Sequence, residues 1–394
     1  MIPNIPYITI HRGTHQIGGV VTEICVDNCR VFIDIGDNLP GNDTELPPID
    51  GLTVGDASNS VLLITHYHGD HIGKLDSILP EVSVYMGKTA KAIQTNYINR
   101  VASDKLSMLE NIQTFEPLDK IQAGKITVTP FMIDHSAFDA YMFVIEAGGY
   151  KILHTGDFRL HGVRGNKTLK MLDYYVKNID YIICEGTNLS RNGEPPMSEY
   201  ELKRKASELM KKSKYVFVLC ASTNIDRIGT FYHINPKGRF FVCDDYQKKQ
   251  LETVREAHAS KSDFYDFKYV YDYKPNLDKH MEEKGFCMIV RQGEFFRQVI
   301  EKYKEKSVFI YSMWTGYLDE RAKNQGLYDF ISPYNYHVLH TSGHATPQDL
   351  KKLYDTVNPS RGLIPIHSDA PELFRELISD DKLFLLNDGQ KLFI

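Results

Sequence analysis

Short apolar runs rich in β-branched residues recur through the first half of the chain. Each is bounded by turn-forming residues, which is the pattern of β-strands. Tyr7 to Ile10 is the first, Val20 to Val26 follows Gly18-Gly19, and Arg30 to Ile35 follows a turn at Asp27-Asn28. Leu39 to Asp56 is rich in Pro, Gly and Asp, has no periodicity and reads as loop. Residues 61–65 form a buried strand. A helix is expected from His71 to Leu79, ended by Pro80, then a short strand over Val82 to Tyr85 and a helix from Lys88 to Asn99. Further strands are expected at Ile126 to Ile133, Ala140 to Glu146, Lys151 to His154 and Asp180 to Cys184. The pattern repeats: an apolar strand stops at a His, an Asp or a Glu. Several strand ends therefore converge on one edge.

The pattern changes after about residue 190. Pro195-Pro196 is followed by Ser198-Glu199-Tyr200-Glu201, a capping box, and a Lys-rich helix to about Lys212. Strands at 215–220, 239–243, 287–290 and 307–312 then alternate with helices from Ile225, over 246–259 and over 293–304. That alternation implies βαβ units and a mostly parallel sheet. The last part returns to the first style. Tyr336 to His340 is a strand, Thr346 caps a helix with Pro347 at its first position, and Gly362 to Ile366 runs into His367. A hairpin around Asn387-Asp388-Gly389 closes the chain. The expected organisation is a first part over 1–190, an inserted α/β domain over 191–335 and a returning part over 336–394.

Composition narrows the class. With 394 residues there is room for two domains, and 42% hydrophobic with 25% charged residues is ordinary for a globular protein and excludes a disordered chain. No apolar run approaches a membrane span, and no basic stretch followed by an apolar core marks the N-terminus, so no membrane association is expected. A net charge of −5 excludes a broadly basic nucleic-acid coat but leaves room for a local basic groove. Of the six cysteines, Cys25, Cys184, Cys220 and Cys287 sit among apolar neighbours as small hydrophobes, and reduced thiols in the cytoplasm are expected.

Chemistry enters with His66-Tyr67-His68-Gly69-Asp70-His71, directly after the 61–65 strand. Three imidazoles and a carboxylate this close repel one another and lose hydration unless a cation offsets the cost. His with Asp suits zinc or a similar borderline divalent ion. Asp34, His135, Asp157, Glu185, His344 and His367 stand at the other strand ends.

In this order the motifs resemble those of the metallo-β-lactamase superfamily. They are Asp34, His66-x-His68-x-Asp70-His71, His135 in Asp134-His135-Ser136-Ala137, and Asp157 in Thr155-Gly156-Asp157-Phe158-Arg159. Three more are similar to those of its β-CASP nuclease branch, most like ribonuclease J and its relatives. They are Glu185 in Cys184-Glu185-Gly186-Thr187, His344 in Ser342-Gly343-His344-Ala345, and His367 in Pro365-Ile366-His367-Ser368. The resemblance implies an α/β fold, a metallo-β-lactamase αββα sandwich with an inserted β-CASP α/β domain. It implies two zinc ions, with manganese as the alternative. His66, His68 and His135 hold one, Asp70, His71 and His367 hold the other, and Asp157 bridges them, with Asp34 orienting the cluster from behind.

The implied activity is a metal-dependent ribonuclease of the ribonuclease J kind, a 5′-to-3′ exonuclease, an endonuclease or both, in which hydroxide attacks the phosphodiester. Asp70, Glu185 and His344 are its catalytic candidates, Glu185 positioning and His344 the acid for the leaving oxygen. Ser342, Gly343, His344 and Ala345 offer a phosphate cradle. Ser222, before the helix at Ile225, offers a second phosphate site or an ordinary N-cap. Single-stranded RNA is the implied substrate, because RNA-directed relatives have His at the position of His367 where DNA-directed ones usually have Val. A DNA nuclease of the same branch and a small-molecule metallo-hydrolase are the alternatives. Lys203-Arg204-Lys205 and Lys211-Lys212-x-Lys214 are backbone contacts or a solvated helix face. A homodimer is the assembly the resemblance raises.

Overall fold

The structure, a computed structural model, describes residues 5–191, 196–319 and 323–394. Met1 to Asn4 and Pro195, which bear on the N-terminus and the change of pattern, lie outside the described residues. The chain forms two compact units, Met1–Pro195 with Gly343–Ile394, and Pro196–Ser342.

In chain order the first unit supplies β1 (Tyr7–Arg12), β2 (Val21–Val26), β3 (Cys29–Ile33), β4 (Ser60–Ile64), β5 (Ser83–Gly87), β6 (Gln113–Phe115), β7 (Ile121–Ala123), β8 (Ile126–Met132), β9 (Tyr141–Ala147), β10 (Tyr150–His154) and β11 (Tyr181–Glu185). The second supplies β12 (Tyr215–Leu219), β13 (Phe240–Cys243), β14 (Val270–Asp272), β15 (Phe286–Val290), β16 (Ser307–Tyr311) and β17 (Tyr336–Val338). The first unit then resumes with β18 (Gly362–Ile366) and β19 (Lys391–Phe393).

The first unit holds two sheets, β19-β1-β2-β3-β4-β5-β6 and β18-β11-β10-β9-β8-β7. Their inner faces share one core. Ile8, Ile24, Val31 and Leu63 from one sheet pack with Val128, Phe143, Ile145 and Ile183 from the other. The alternate residues of the second sheet, Met142, Leu153 and Ile182, face Leu172 of the helix Gly165–Tyr175 and Leu350 and Leu353 of the helix Pro347–Val357. The period-two alternation thus buries both faces of the strands, one against a sheet and one against helices. The helix Lys88–Val101 packs along β5 and β6. The layers are helix, sheet, sheet, helix, which is the sandwich the sequence implies.

Strand direction gathers the strand ends. β3 and β4 are parallel. β8 and β10 each run antiparallel to β9, and β10, β11 and β18 are parallel, so these four strands share a direction. Asp34 follows β3, His66 follows β4, His135 follows β8, Asp157 follows β10, Glu185 ends β11 and His367 follows β18.

Two expectations fail locally. No helix runs from His71 to Leu79. A single turn, Gly69–Ile72, is followed by a short turn over Leu75–Ser77. The Lys74 N–H donates to Ile35 O at 3.1 Å, which draws the chain off the helical path. The terminal hairpin does not form either. The Asp388 carboxylate accepts from Thr14 N and Oγ1 at 3.0 and 2.6 Å, and β19 pairs with β1 instead. The helix Gly165–Tyr175 opens without a side-chain cap, so its start carries no sequence signature.

The second unit is one sheet, β14-β13-β15-β12-β16-β17, parallel throughout, with helices in the connections. The Ser198–Glu201 capping box opens the helix Glu199–Lys212 as its residues predict. Tyr336 pairs with Phe309, so Tyr336–Val338 stands in this sheet and not with the returning part, to which the strand pattern assigns it. A buried ion pair ties the unit together. Arg227 donates to both oxygens of Glu199 at 2.8 and 2.9 Å and to Ser312 Oγ at 2.7 Å, and Ser312 donates to Leu339 O. Thr230 Oγ1 donates to Glu199 as well. Among the described residues no helix is long and apolar enough to cross a membrane.

Candidate metal centre

Seven side chains meet at the gathered strand ends in two donor groups. His66, His68 and His135 form the first, and Asp70, His71, Asp157 and His367 the second; within each, one donor atom per residue lies within 4.8 Å of all the others. His68 Nδ1 is 3.1 Å from His66 Nε2 and 3.2 Å from His135 Nε2. His367 Nε2 is 3.1 Å from Asp70 Oδ2, and His71 Nε2 is 3.0 Å from Asp157 Oδ2. The same Asp157 oxygen is 3.9 Å from His66 Nε2, so one carboxylate reaches both groups.

Hydrogen bonds behind the cluster decide which nitrogen each imidazole presents. His71 Nδ1–H donates to Asp34 at 2.7 Å. Asp34 also accepts from Thr65 N and Oγ1, both at 2.7 Å. With its proton committed there, Thr65 Oγ1 accepts from His66 Nδ1–H at 3.0 Å. His135 Nδ1–H donates to Gly343 O at 2.7 Å, and His367 Nδ1–H donates to Thr187 Oγ1 at 2.7 Å. Four histidines are thereby held through Nδ1, with Nε2 the atom aimed into the centre. Asp34 and His367 hold left-handed backbone at φ 60° and 50°, strain of about 1–3 kcal/mol at each that the packing has to hold.

In the first group His66 and His135 both turn Nε2 toward His68 Nδ1. One proton on His68 Nδ1 serves only one of them, whereas one cation serves all three, and a tetrahedral zinc keeps nitrogen ligands about 3.3 Å apart. Burial, reinforced by neighbouring imidazoles, holds His66 and His135 well below the ordinary histidine range. Burial brings His68 down to about 4. All three are neutral donors near pH 7. At His71 burial pulls the other way but is outweighed by Asp157, Asp34 and Asp70, which hold its pKa well up. Burial raises the Asp70 and Asp157 carboxyls, yet the facing histidines keep both below the usual range. Buried anions beside neutral lone pairs form a donor set that fits a pair of divalent cations.

His344 and Glu185 adjoin the second group. His344 Nδ1 is 3.3 Å from Glu185 Oε2 and 3.5 Å from Asp157 Oδ2. Burial lowers its pKa, but Glu185 and Asp157 prevail and raise it above the ordinary histidine value. Glu185, fully buried, accepts from Phe158 N, Ala345 N and Thr187 N at 3.1–3.2 Å. It thus ties together the neighbours of Asp157, His344 and His367. Asn188 Nδ2 donates to the carbonyls of His344 and Ala345, both at 3.1 Å. A Cβ on Gly343 would meet Ser136 Oγ at 2.4 Å, so that turn needs glycine.

Ser342 closes the second unit, while Gly343, His344 and Ala345 belong to the first. Ser222 does not cap the helix Ile225–Ile234; Asn224 does, accepting from Arg227 N, and Ser222 Oγ lies 3.3 Å from Tyr246 Oη. His154 is buried between Thr22 and Gly156 N. The sequence singles out no role for Thr65, Thr187 and Asn188, although Thr187 adjoins a motif residue.

Known proteins place the chain. The family described as "Beta-lactamase superfamily domain" matches residues 31–251, and "Zn-dependent metallo-hydrolase RNA specificity domain" matches residues 334–383. Ribonuclease J of Mycoplasma pneumoniae is 24% identical over 97% of this chain and 72% of its own length. Ribonuclease J of Mycobacterium tuberculosis is 25% identical over 91% and 68%, and that of Helicobacter pylori 22% over 98% and 60%. A crystal structure of a protein of unknown function from Enterococcus faecalis V583 shares the fold, with a TM-score of 0.79 at 20% identity over 99% of this chain and all of its own.

Proposed function

The chain belongs to the metallo-β-lactamase superfamily, in its ribonuclease J-like β-CASP branch, and from that premise we propose that it is a zinc-dependent ribonuclease hydrolysing single-stranded RNA. The observation that carries this reading is the pair of donor groups joined through Asp157, with His344 beside them, 3.3 Å from Glu185. The match of residues 334–383 to an RNA specificity domain, which spans His344 and His367, supports RNA over DNA.

In this reading His66, His68 and His135 hold one zinc ion, Asp70, His71 and His367 the other, and Asp157 both. When bound, two such cations supply a water nucleophile at neutral pH and neutralise the phosphodiester. The chain does the rest. Asp34 and Thr65 hold the His71 and His66 rings, and Thr187 holds His367. His344 gives its proton to the leaving oxygen. Glu185 positions His344 and raises its pKa. The small residues of the 343–345 turn leave backbone room for a phosphate. The same resemblance supports a homodimer, read by light scattering, and work in the cytoplasm.

The deciding experiment incubates the zinc- or manganese-loaded chain with 5′-monophosphate, 5′-triphosphate and circular RNAs and with matched DNA. RNA cleavage that Asp70→Asn abolishes is expected, and the three RNA forms report direction and end preference. Equal cleavage of DNA, or none of RNA, overturns the reading.

A further inference from the structure

The strands of the second unit all point one way, so their first residues share one rim of the sheet. Register makes this a row: Phe240 is opposite Phe286, Phe286 opposite Tyr215, and Tyr215 opposite Ser307. The chain enters nearly every strand of that row through a basic residue. Arg239 precedes β13, Lys214 precedes β12, Lys306 precedes β16, and Lys284 stands one glycine before β15. Val270 is opposite Phe241, which puts Lys268 level with Arg239. With neighbouring strands about 4.8 Å apart, the row from Lys268 to Lys306 crosses four gaps, about 19 Å.

What sets this rim apart is its register, one cation at the entry to each of five adjacent strands. Elsewhere some exposed cations stand against carboxylates, as Lys177 with Asp173, Arg204 with Glu208, Lys302 with Asp278 and Lys351 with Asp355, while others, such as Lys203, Lys249 and Lys352, have no such partner among the described residues. On the rim Lys268 is paired, with Asp266, and Arg239 is held by the carbonyls of Met210 and Ser213. Lys214, Lys284 and Lys306 are exposed and have no carboxylate partner among the described residues, nor have Lys211 and Lys212 beside them. The helix dipole explains cations at helix C-termini, which covers Lys211, Lys212, Lys284 and Lys306 but not Lys214 or Arg239, beyond their helix ends. Unpaired like charges in a row repel, and on a chain of net charge −5 they call for an anionic partner.

We infer that this rim is a contact surface for the phosphodiester backbone of single-stranded RNA. One cation per strand makes a line, which suits a linear polyanion with one charge per nucleotide. At one end Tyr269, 69% exposed beside Lys268, offers a face for a base to stack on. A bilayer surface would instead match basic residues flanked by several apolar ones. The inference rests on the RNA reading of the metal centre, and its test separates the two.

The test is anisotropy titration of a labelled 30-nucleotide phosphorothioate RNA, which resists cleavage, with the metal-loaded full chain. Replacing Lys214, Lys284 and Lys306 together by Gln weakens binding on the order of tenfold, and the slope of log K against log salt shrinks by about 2, near 0.7 for each phosphate no longer neutralised. The single variant Lys284→Gln, whose fold is least in question, reduces that slope by about 0.7. Replacing all three by Arg restores binding. Unchanged affinity and slope in the triple and single variants overturn the inference. So does loss of binding to phosphatidylserine vesicles with RNA binding unmoved, which assigns the rim to a membrane. A wild-type chain that binds through the rim yet cleaves no ordinary RNA overturns the ribonuclease reading and supports the rim. One that cleaves, with rim variants binding normally, does the reverse.

Discussion

Each unit buries a polar cluster, and the two are built on opposite plans. In the second unit Arg227, Glu199, Ser312 and Thr230 answer one another: each donor faces an acceptor, and the charges cancel. In the first unit the buried groups face inward with like chemistry, imidazole nitrogens facing one another and carboxylates beside them. The hydrogen bonds of those histidines run outward, to Asp34, Thr65, Thr187 and Gly343 O. A cluster that closes on itself serves the fold. One that leaves its best donors pointing at a common centre serves something that arrives from outside.

Removing one group from each cluster is the sharpest way to break that contrast. Asp157→Ala takes away the one carboxylate shared by both donor groups. Elemental analysis then finds both ions lost, and RNA cleavage falls by on the order of 10⁴ or more, while the far-ultraviolet spectrum is unchanged. Two ions retained in that variant would refute the shared position. His344→Ala should keep both ions and lower kcat by about 10²–10⁴. Metal loss would move His344 from proton donor to ligand.

In the second unit Arg227→Met strands Glu199 without its partner. Denaturant unfolding should show about 3–5 kcal/mol of destabilisation with metal content unaltered, and pairing it with Glu199→Leu should recover most of the loss. A double variant no more stable than the single would mean that the cluster contributes more than charge balance.

The finer test is Thr187→Val. It removes the acceptor that fixes His367 and should weaken binding of the second ion by about 10–100-fold, with Thr187→Ser restoring it. Metal titration by calorimetry reads this directly, and equal affinity in the Val variant excludes an orienting role.

Per pH unit, the smallest effect concerns acid. His68 is brought down to about 4 and His154 to about 3, both chiefly by burial. The unfolded chain protonates its histidines near 6.5, so below that pH it binds more protons than the ion-free folded chain. Stability of the chelated protein should therefore fall as pH drops from about 6.5 toward 4, by about 1.4 kcal/mol per unit for the fully buried His154. A flat unfolding profile over that window would show that burial does not keep these rings neutral.

Much of the architecture is legible in residue order. Apolar strands that stop at His, Asp or Glu announce both the sheets and their functional edge, because a chain seldom places such groups after a buried run without use for them. The residues picked out at those stops include every side chain that the structure brings into the two donor groups. What supports them is not legible in the same way. Thr187 and His367 lie 180 residues apart, and nothing in either position names the other. The acceptor for His135 is a backbone carbonyl, which has no residue identity to read. The misjudged hairpin has the same origin. The turn at Asn387-Asp388-Gly389 forms, with Gln390 N donating to Asn387 O at 3.0 Å, but Asp388 is also bound by Thr14, 374 residues away, and the strand beyond the turn pairs with β1 rather than with the segment before it.

The distance along the chain between Asp70 and His367, 297 residues, also has a meaning in time. A ribosome adding ~5–20 residues each second makes the first of these ligands roughly 15–60 s before the last. Throughout that interval the nascent chain lacks His367, and with it Gly343 until late. Elongation itself therefore keeps the centre incomplete until His367 has been added.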